Sequence, residues 1–120
     1  MFHEKQPTLV VIEDDFFIAS DIEDIATKGG WNVVEICHSL EHGLATAEHL
    51  QVDAFTLDYE LGEETAESIA KQLNQRDIPF IYVTGQLEAI SALPDFIQHR
   101  GVSKPLQPHI LVDHLNNLKP

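Results

Sequence analysis

Two groups of carboxylates follow apolar segments of this chain. Asp58 comes directly after residues 54–57, which contain nothing ionisable, and Glu13 and Asp14 come directly after the apolar run 9–12. If both runs are parallel strands of one sheet, the two groups of carboxylates meet at the same edge, where α/β proteins build their sites. Crowded carboxylates repel one another unless a divalent cation neutralises them, and a ligand set made only of oxygens favours Mg²⁺. We therefore expect a magnesium site there.

The segments around these carboxylates alternate between short apolar runs and helical patterns. The runs are too short for helices and rich in β-branched residues, which indicates strands at 8–12, 33–37, 53–57, 80–83 and 101–103. Apolar residues at helical spacing occupy the segments that follow the strands. Parallel strands need helical crossovers, so this order predicts an α/β fold, a parallel sheet with helices on both faces.

Capping residues predict where the helices begin and end. Asp15 is expected to cap the first helix, which Gly29 ends, and Ser39 and Thr65 are expected to cap the second and third. Pro108 suits the first position of the last helix, because proline needs no hydrogen-bond partner there. We favour this capping role for Asp15, with a minor role near the metal.

The segment from Gln86 to Arg100 departs from the pattern, because Pro94 interrupts a helical pattern that starts at Leu87. We expect one short or irregular fourth helix there. Its apolar residues either form a partner surface that responds to the state of the site or fill the core. Those residues are Leu87, Ile90, Leu93 and Phe96.

Composition narrows the possible functions. The chain has 120 residues and a formal charge of −13, which opposes direct contact with nucleic acid or an anionic membrane. No apolar run approaches the ~20 residues of a membrane span, and the first residues lack the pattern of a signal peptide. We expect residues 1–120 to form one cytoplasmic domain. Its partner is then a protein or a phosphoryl donor.

Taken with the strand and helix order, the sequence of an acidic pair, an aspartate, a threonine and a lysine–proline pair resembles the receiver domain of bacterial two-component response regulators, over about residues 8–118. The resemblance implies a flavodoxin-like (CheY-like), doubly wound (βα)5 sheet. It also implies that Asp58 accepts a phosphoryl group from a histidine kinase or a histidine phosphotransfer protein. Glu13 and Asp14 match the acidic pair that holds Mg²⁺ with Asp58.

The same resemblance assigns the remaining site residues. Thr84 matches the switch hydroxyl, and Lys104 before Pro105 matches the lysine that contacts the phosphoryl group, in a peptide that is usually cis. The main-chain carbonyl of Glu60 is implied as a further metal ligand. Such a domain is not an enzyme beyond its own phosphorylation and dephosphorylation, and it signals through a downstream protein or passes the phosphoryl group on. The oligomeric state is left open.

One position departs from the usual receiver pattern. Most receivers carry Tyr or Phe three residues before the lysine, an aromatic that moves with the switch hydroxyl, and this chain has Gly101. The segment 78–86 instead resembles a subgroup nicknamed FAT GUY, which lacks that aromatic. The residues that match the subgroup are Pro79, Phe80, Thr84 and Gly85, and those that differ are Val83 and Gln86.

Two other functions fit parts of the pattern. A Mg²⁺-dependent phosphohydrolase of the haloacid-dehalogenase type would need a second aspartate two residues after Asp58, where this chain has Glu60. A receiver-like module that no longer takes up phosphate is opposed by the complete set of site residues. His38 and His42 have helical spacing but lack a third metal ligand, so we interpret them as surface residues.

Overall fold

The structure is a computed structural model that describes residues 5–92 and 101–120. Within these ranges the strands are β1 Thr8–Ile12, β2 Asn32–Cys37, β3 Ala54–Leu57, β4 Glu60–Leu61, β5 Glu64–Thr65, β6 Phe80–Thr84 and β7 Gly101–Ser103. The helices in the same ranges are α1 Phe16–Lys28, α2 Leu40–His49, α3 Glu67–Gln75, α4 Leu87–Ile90 and α5 Pro108–Asn116.

Five strands form a parallel sheet in the order β2-β1-β3-β6-β7. The chain starts near the middle of the sheet, moves outward to β2, and then crosses to the other side of β1. This is the doubly wound, flavodoxin-like α/β topology, so the predicted fold class is confirmed. The order makes β1 and β3 direct neighbours, with Ile12 paired to Leu57, and it makes β6 the neighbour of both β3 and β7.

The central strands are buried on both faces, which explains why they are apolar along their length. Phe55 and Leu57 of β3 pack into the cluster that contains the buried residues of α3, whereas Ala54 packs into the cluster of α1 and α5. The second cluster also encloses Trp31, which lies just before β2 and is fully buried.

Most of the predicted helix ends are confirmed. The Asp15 carboxylate accepts hydrogen bonds from the backbone N–H groups of Phe17 and Ile18, at 2.9 and 3.1 Å, and so caps α1. Ser39 caps α2, Gly29 ends α1, and Pro108 is the first residue of α5.

The prediction that Thr65 caps α3 is wrong. Thr65 belongs to β5, which pairs antiparallel with β4 in a two-stranded hairpin, and Ala66 precedes the helix without a side-chain capping bond. Gly62 turns this hairpin at a φ of 66°, a conformation that glycine adopts without strain. The hairpin was missed because strands of two residues show no periodicity.

The short fourth helix is confirmed, because α4 has four residues. Ile90 is buried and fills the core, and Leu87 is half-buried and packs against the same cluster. Leu93, Pro94 and Phe96 lie outside the described residues. In the ranges that the structure describes, none of the helices has the length and apolarity needed to cross a bilayer.

Candidate functional site

Four strands bring the predicted site residues together at one edge of the sheet. Glu13 directly follows β1, Asp58 directly follows β3, Thr84 is the last residue of β6, and Lys104 directly follows β7. The Asp58 N–H donates to the carbonyl of Ile12 at 3.0 Å, which holds the two strand ends side by side. The residues meet because the strands are parallel and adjacent, as the sequence predicts.

Three carboxylates form a compact cluster at this edge. One oxygen from each of Glu13, Asp14 and Asp58 lies within 4.8 Å of the others. Glu13 is 1% exposed and Asp58 6% exposed, whereas Asp14 is exposed. This all-oxygen donor set, open to solvent on the Asp14 side, fits a divalent cation such as Mg²⁺.

The hairpin of β4 and β5 is bonded to two of these carboxylates. The Gly62 N–H donates to Asp14 Oδ2 at 3.0 Å, and the Glu60 N–H donates to Asp58 Oδ1 at 3.3 Å. Backbone donors therefore orient both side chains. The role of the Glu60 carbonyl as a metal ligand stays a prediction.

Lys104 reaches into the carboxylate cluster from the end of β7. Its ammonium lies 2.6 Å from Glu13 Oε1 and 3.0 Å from Asp58 Oδ2, and its side chain is 19% exposed. The peptide between Lys104 and Pro105 is cis, as the resemblance implies. One cation thus partly neutralises two buried carboxylates.

Burial and charge shift the pKa values of this cluster. Burial raises the pKa of Glu13 to about 7, although hydrogen bonds from Lys104 and from the Asp15 N–H act against the shift. Burial alone would lower the pKa of Lys104, but the hydrogen bonds to Glu13 and Asp58 outweigh it and raise that pKa. The lysine therefore stays charged, while Glu13 can take up a proton near neutral pH.

Thr84 is held differently from Lys104. It is 1% exposed, and its hydroxyl oxygen accepts a hydrogen bond from the Gln86 N–H at 3.0 Å. Its carbonyl accepts from the Lys104 N–H at 2.9 Å, which links the ends of β6 and β7. The predicted switch hydroxyl is thus next to the cluster but engaged with its own loop.

Sequence reasoning missed an aromatic group beside Asp58. The Tyr59 hydroxyl donates to the Glu67 carboxylate at 2.7 Å, and this hydrogen bond raises the pKa of Tyr59. The Tyr59 ring packs edge-on against Tyr82 of β6, with ring centroids 5.9 Å apart, and Tyr82 packs in the same way against Phe80. The pair of Tyr59 and Tyr82 joins residues far apart in the sequence, so no local pattern signals it.

His38 is also closer to the site than the surface interpretation suggests. It is half-buried, its Nδ1 lies 3.0 Å from the Glu13 carbonyl oxygen, and its ring stacks on Phe16. His42 is exposed, as expected, and lies 3.9 Å from Glu35 rather than beside His38 in a metal site.

No protein-family model and no curated protein matches the sequence. Solved structures do match its fold. The PhyR response regulator receiver domain of Erythrobacter litoralis is similar at a TM-score of 0.83 and 17% identity, covering 94% of this chain and 89% of that one. A receiver domain protein (CheY-like) of Methanospirillum hungatei JF-1 matches at a TM-score of 0.76 and 21% identity, covering 94% and 93%.

The response regulator PhyR of Brucella abortus matches at a TM-score of 0.83 and 24% identity, covering 95% of this chain and 48% of that one. The chain thus spans about half the length of this longer protein. These receiver structures superpose on 94–95% of the present chain. The resemblance drawn from the sequence is confirmed at the level of architecture: the chain has the fold of a response-regulator receiver domain.

Proposed function

We propose that this chain is a response-regulator receiver domain that accepts a phosphoryl group on Asp58 from a histidine kinase or a histidine phosphotransfer protein. The state of Asp58 then reaches a downstream protein by contact, or the phosphoryl group passes along a relay. One observation carries the proposal: the Asp58 carboxylate lies at the sheet edge beside Glu13 and Asp14 and 3.0 Å from the Lys104 ammonium.

In the proposed reaction an Asp58 oxygen attacks the phosphorus of phosphohistidine in line. The new O–P bond forms as the donor's N–P bond breaks, and the imidazole leaves with the electron pair and takes up a proton. Mg²⁺ bound by Glu13, Asp14, Asp58 and the Glu60 carbonyl would neutralise the carboxylates and screen the incoming oxygens. The backbone N–H of Glu60 holds the nucleophile in place.

Lys104 and Thr84 would stabilise the transferred group. The ammonium already lies beside Asp58, so it can balance the added charge without a large movement. The Thr84 hydroxyl would exchange its bond with the Gln86 N–H for a bond to a phosphoryl oxygen. That exchange is the proposed switch.

Acetyl phosphate with Mg²⁺, followed by intact-mass measurement, tests the proposal. Wild type is expected to gain one phosphoryl group, Asp58→Asn none, and the exposed control Asp113→Asn as much as wild type. Labelling of Asp58→Asn at the wild-type rate would show that the acceptor is another residue. An unlabelled wild type would favour the non-phosphorylated binding module, and turnover of many substrate molecules would favour the phosphohydrolase.

A further inference from the structure

Tyr59 links the proposed phosphoacceptor to two neighbouring elements. It is the next residue after Asp58, its carbonyl accepts from the Ala66 N–H at 2.7 Å, and its hydroxyl donates to Glu67 at 2.7 Å. Both contacts lie at the start of α3. The ring packs against Tyr82 of β6, two residues before Thr84.

The position of Tyr82 adds to this observation. Tyr82 is the register partner of Gly101 on β7, the residue three positions before Lys104. Side chains of paired residues in parallel strands share a face of the sheet, and Gly101 has none to place there. The aromatic contact beside the site is therefore made by Tyr59, which follows β3, and Tyr82 of β6, and not by a side chain at Gly101.

The negative charges on either side of Tyr59, on Glu67 and on a phosphorylated Asp58, predict that its hydrogen bond responds to phosphorylation. Glu67 lies in the first turn of α3, where negative charge favours the helix, and the Tyr59 hydroxyl holds its carboxylate. An acyl phosphate on Asp58 adds about one further negative charge next to Tyr59. The added charge repels Glu67, so the hydrogen bond that fixes Glu67 is worth less in the phosphorylated form.

We infer that Tyr59 transmits the phosphorylation state of Asp58 to α3 and β6, through its hydrogen bond to Glu67 and its ring contact with Tyr82. This inference rests on the proposed function. In the unphosphorylated form Tyr59 holds Glu67 in place. Phosphorylation weakens that bond and shifts the ring against Tyr82, so the start of α3 and the end of β6 change together.

Reciprocity makes the inference measurable. If phosphorylation must weaken the bond between Tyr59 and Glu67, then removing the bond beforehand makes a phosphoryl mimic bind more tightly. Beryllofluoride with Mg²⁺ is the probe. Tyr59→Phe, which keeps the ring but removes the bond, and Glu67→Gln, which leaves only a neutral acceptor and so weakens the bond, should each tighten beryllofluoride binding about fivefold, the lower end of known couplings.

The matched control is Glu63→Gln. Glu63 is an exposed carboxylate of the same hairpin region, so its removal changes the local charge equally without touching Tyr59. It should leave beryllofluoride affinity within about twofold of wild type. The double variant of Tyr59→Phe and Glu67→Gln should gain less than the product of the single gains, because both changes act on the same bond.

A second readout follows the rings directly. The chain contains two tyrosines, so 3-fluorotyrosine labelling gives two ¹⁹F signals, which Tyr59→Phe and Tyr82→Phe assign. Beryllofluoride should shift both signals in wild type and neither in Asp58→Asn. A purely structural role for Tyr59 would lower the melting temperature of Tyr59→Phe without changing beryllofluoride affinity.

The outcomes separate the two proposals. If wild type binds no beryllofluoride, the proposed function fails and this inference fails with it. If wild type binds it but neither ¹⁹F signal moves and both variants bind like wild type, the inference alone is overturned. An equal gain in Glu63→Gln and Glu67→Gln would also overturn it, because the effect would then be one of general charge.

Discussion

Lys104 and Thr84 reach the site from neighbouring strand ends, but they are held in different ways. Lys104 is bonded to Glu13 and Asp58 across the sheet edge, at 2.6 and 3.0 Å. The Thr84 hydroxyl instead accepts a bond from Gln86, two residues further along its own chain. One donor is fixed by opposite charges within a buried cluster, and the other by a local turn.

This difference assigns the two groups different parts in a switch. A buried charge that loses its counter-ion is strongly destabilising, so Lys104 stabilises the unphosphorylated site. A neutral hydroxyl bonded to the backbone N–H of Gln86, an exposed residue, can change partner at small cost. We therefore expect the charged cluster to control stability and the Thr84 turn to control the response, and four predictions test this division.

The largest expected effect is a loss of stability of the metal-free protein as the pH rises. The pKa of Glu13 is about 7 in the folded protein against 4.5 ordinarily, so the folded state binds this proton more tightly. This proton contributes about 3 kcal/mol to the free energy of unfolding. The contribution is complete below about pH 4.5 and is lost by about pH 7. Urea unfolding at pH 5 and pH 8 in EDTA measures it. Glu13→Gln should remove most of the difference, and an unchanged pH dependence in that variant would contradict the prediction.

The next largest effect is expected when the ion pair of Lys104 with Glu13 and Asp58 is broken. Lys104→Met at pH 8 should lower the free energy of unfolding by about 2 kcal/mol. Removing one partner of a buried ion pair ordinarily costs about 3–5 kcal/mol, and the loss is smaller here because Glu13 can take up a proton once the lysine is gone. Adding Glu13→Gln to Lys104→Met should restore part of the loss. The exposed control Lys71→Met should stay near wild type in the same urea titrations. Equal losses in both lysine variants would show that Lys104 has no special role in stability.

Repulsion among the carboxylates gives a smaller effect of opposite sign. Asp14→Asn should raise the stability of the metal-free protein by about 1 kcal/mol, because Asp14 is exposed and its repulsion is screened by water. The new amide oxygen can still accept the bond from Gly62. Mg²⁺ should raise the melting temperature of wild type and no longer that of the variant. A variant that melts lower and still responds to Mg²⁺ would be the opposite result.

The smallest effect on stability is expected at Thr84. Thr84→Val should change the free energy of unfolding by less than about 0.5 kcal/mol, because the Gln86 N–H can bond to water instead. The gain in melting temperature that beryllofluoride gives wild type should nevertheless fall in the variant. A large loss of stability without beryllofluoride would show that Thr84, like Lys104, holds the unphosphorylated site together, and would contradict the division between stability and response.

The sequence was sufficient to predict the parallel sheet and most of the site residues that meet at the carboxyl ends of its strands. Strands such as β3 are short, apolar and followed by a turn, so Asp58 could be placed at a strand end from local pattern alone. Parallel topology then predicted that Glu13 and Asp14 would meet Asp58, and the resemblance to receiver domains implied Lys104; the structure brings all three to Asp58. These predictions succeeded because burial determines both the composition of a central strand and its position.

Contacts that depend on side-chain geometry were beyond the sequence. Thr65 pairs in a hairpin whose strands are too short to show periodicity, and the hydrogen bond from Tyr59 to Glu67 joins the two sides of that hairpin. The engagement of Thr84 with Gln86 in place of the phosphoacceptor depends on a rotamer. Residue types predict which groups meet, whereas packing determines how they are bonded.

Trp31 gives the chain a built-in spectroscopic reference. It is the single tryptophan, it is fully buried, and it lies before β2, at the end of the sheet away from Asp58. Its fluorescence should therefore follow the unfolding of the whole domain and stay constant while the opposite edge changes its charge. A shift in its emission on adding acetyl phosphate would mean that the core around α1 and α5 has loosened.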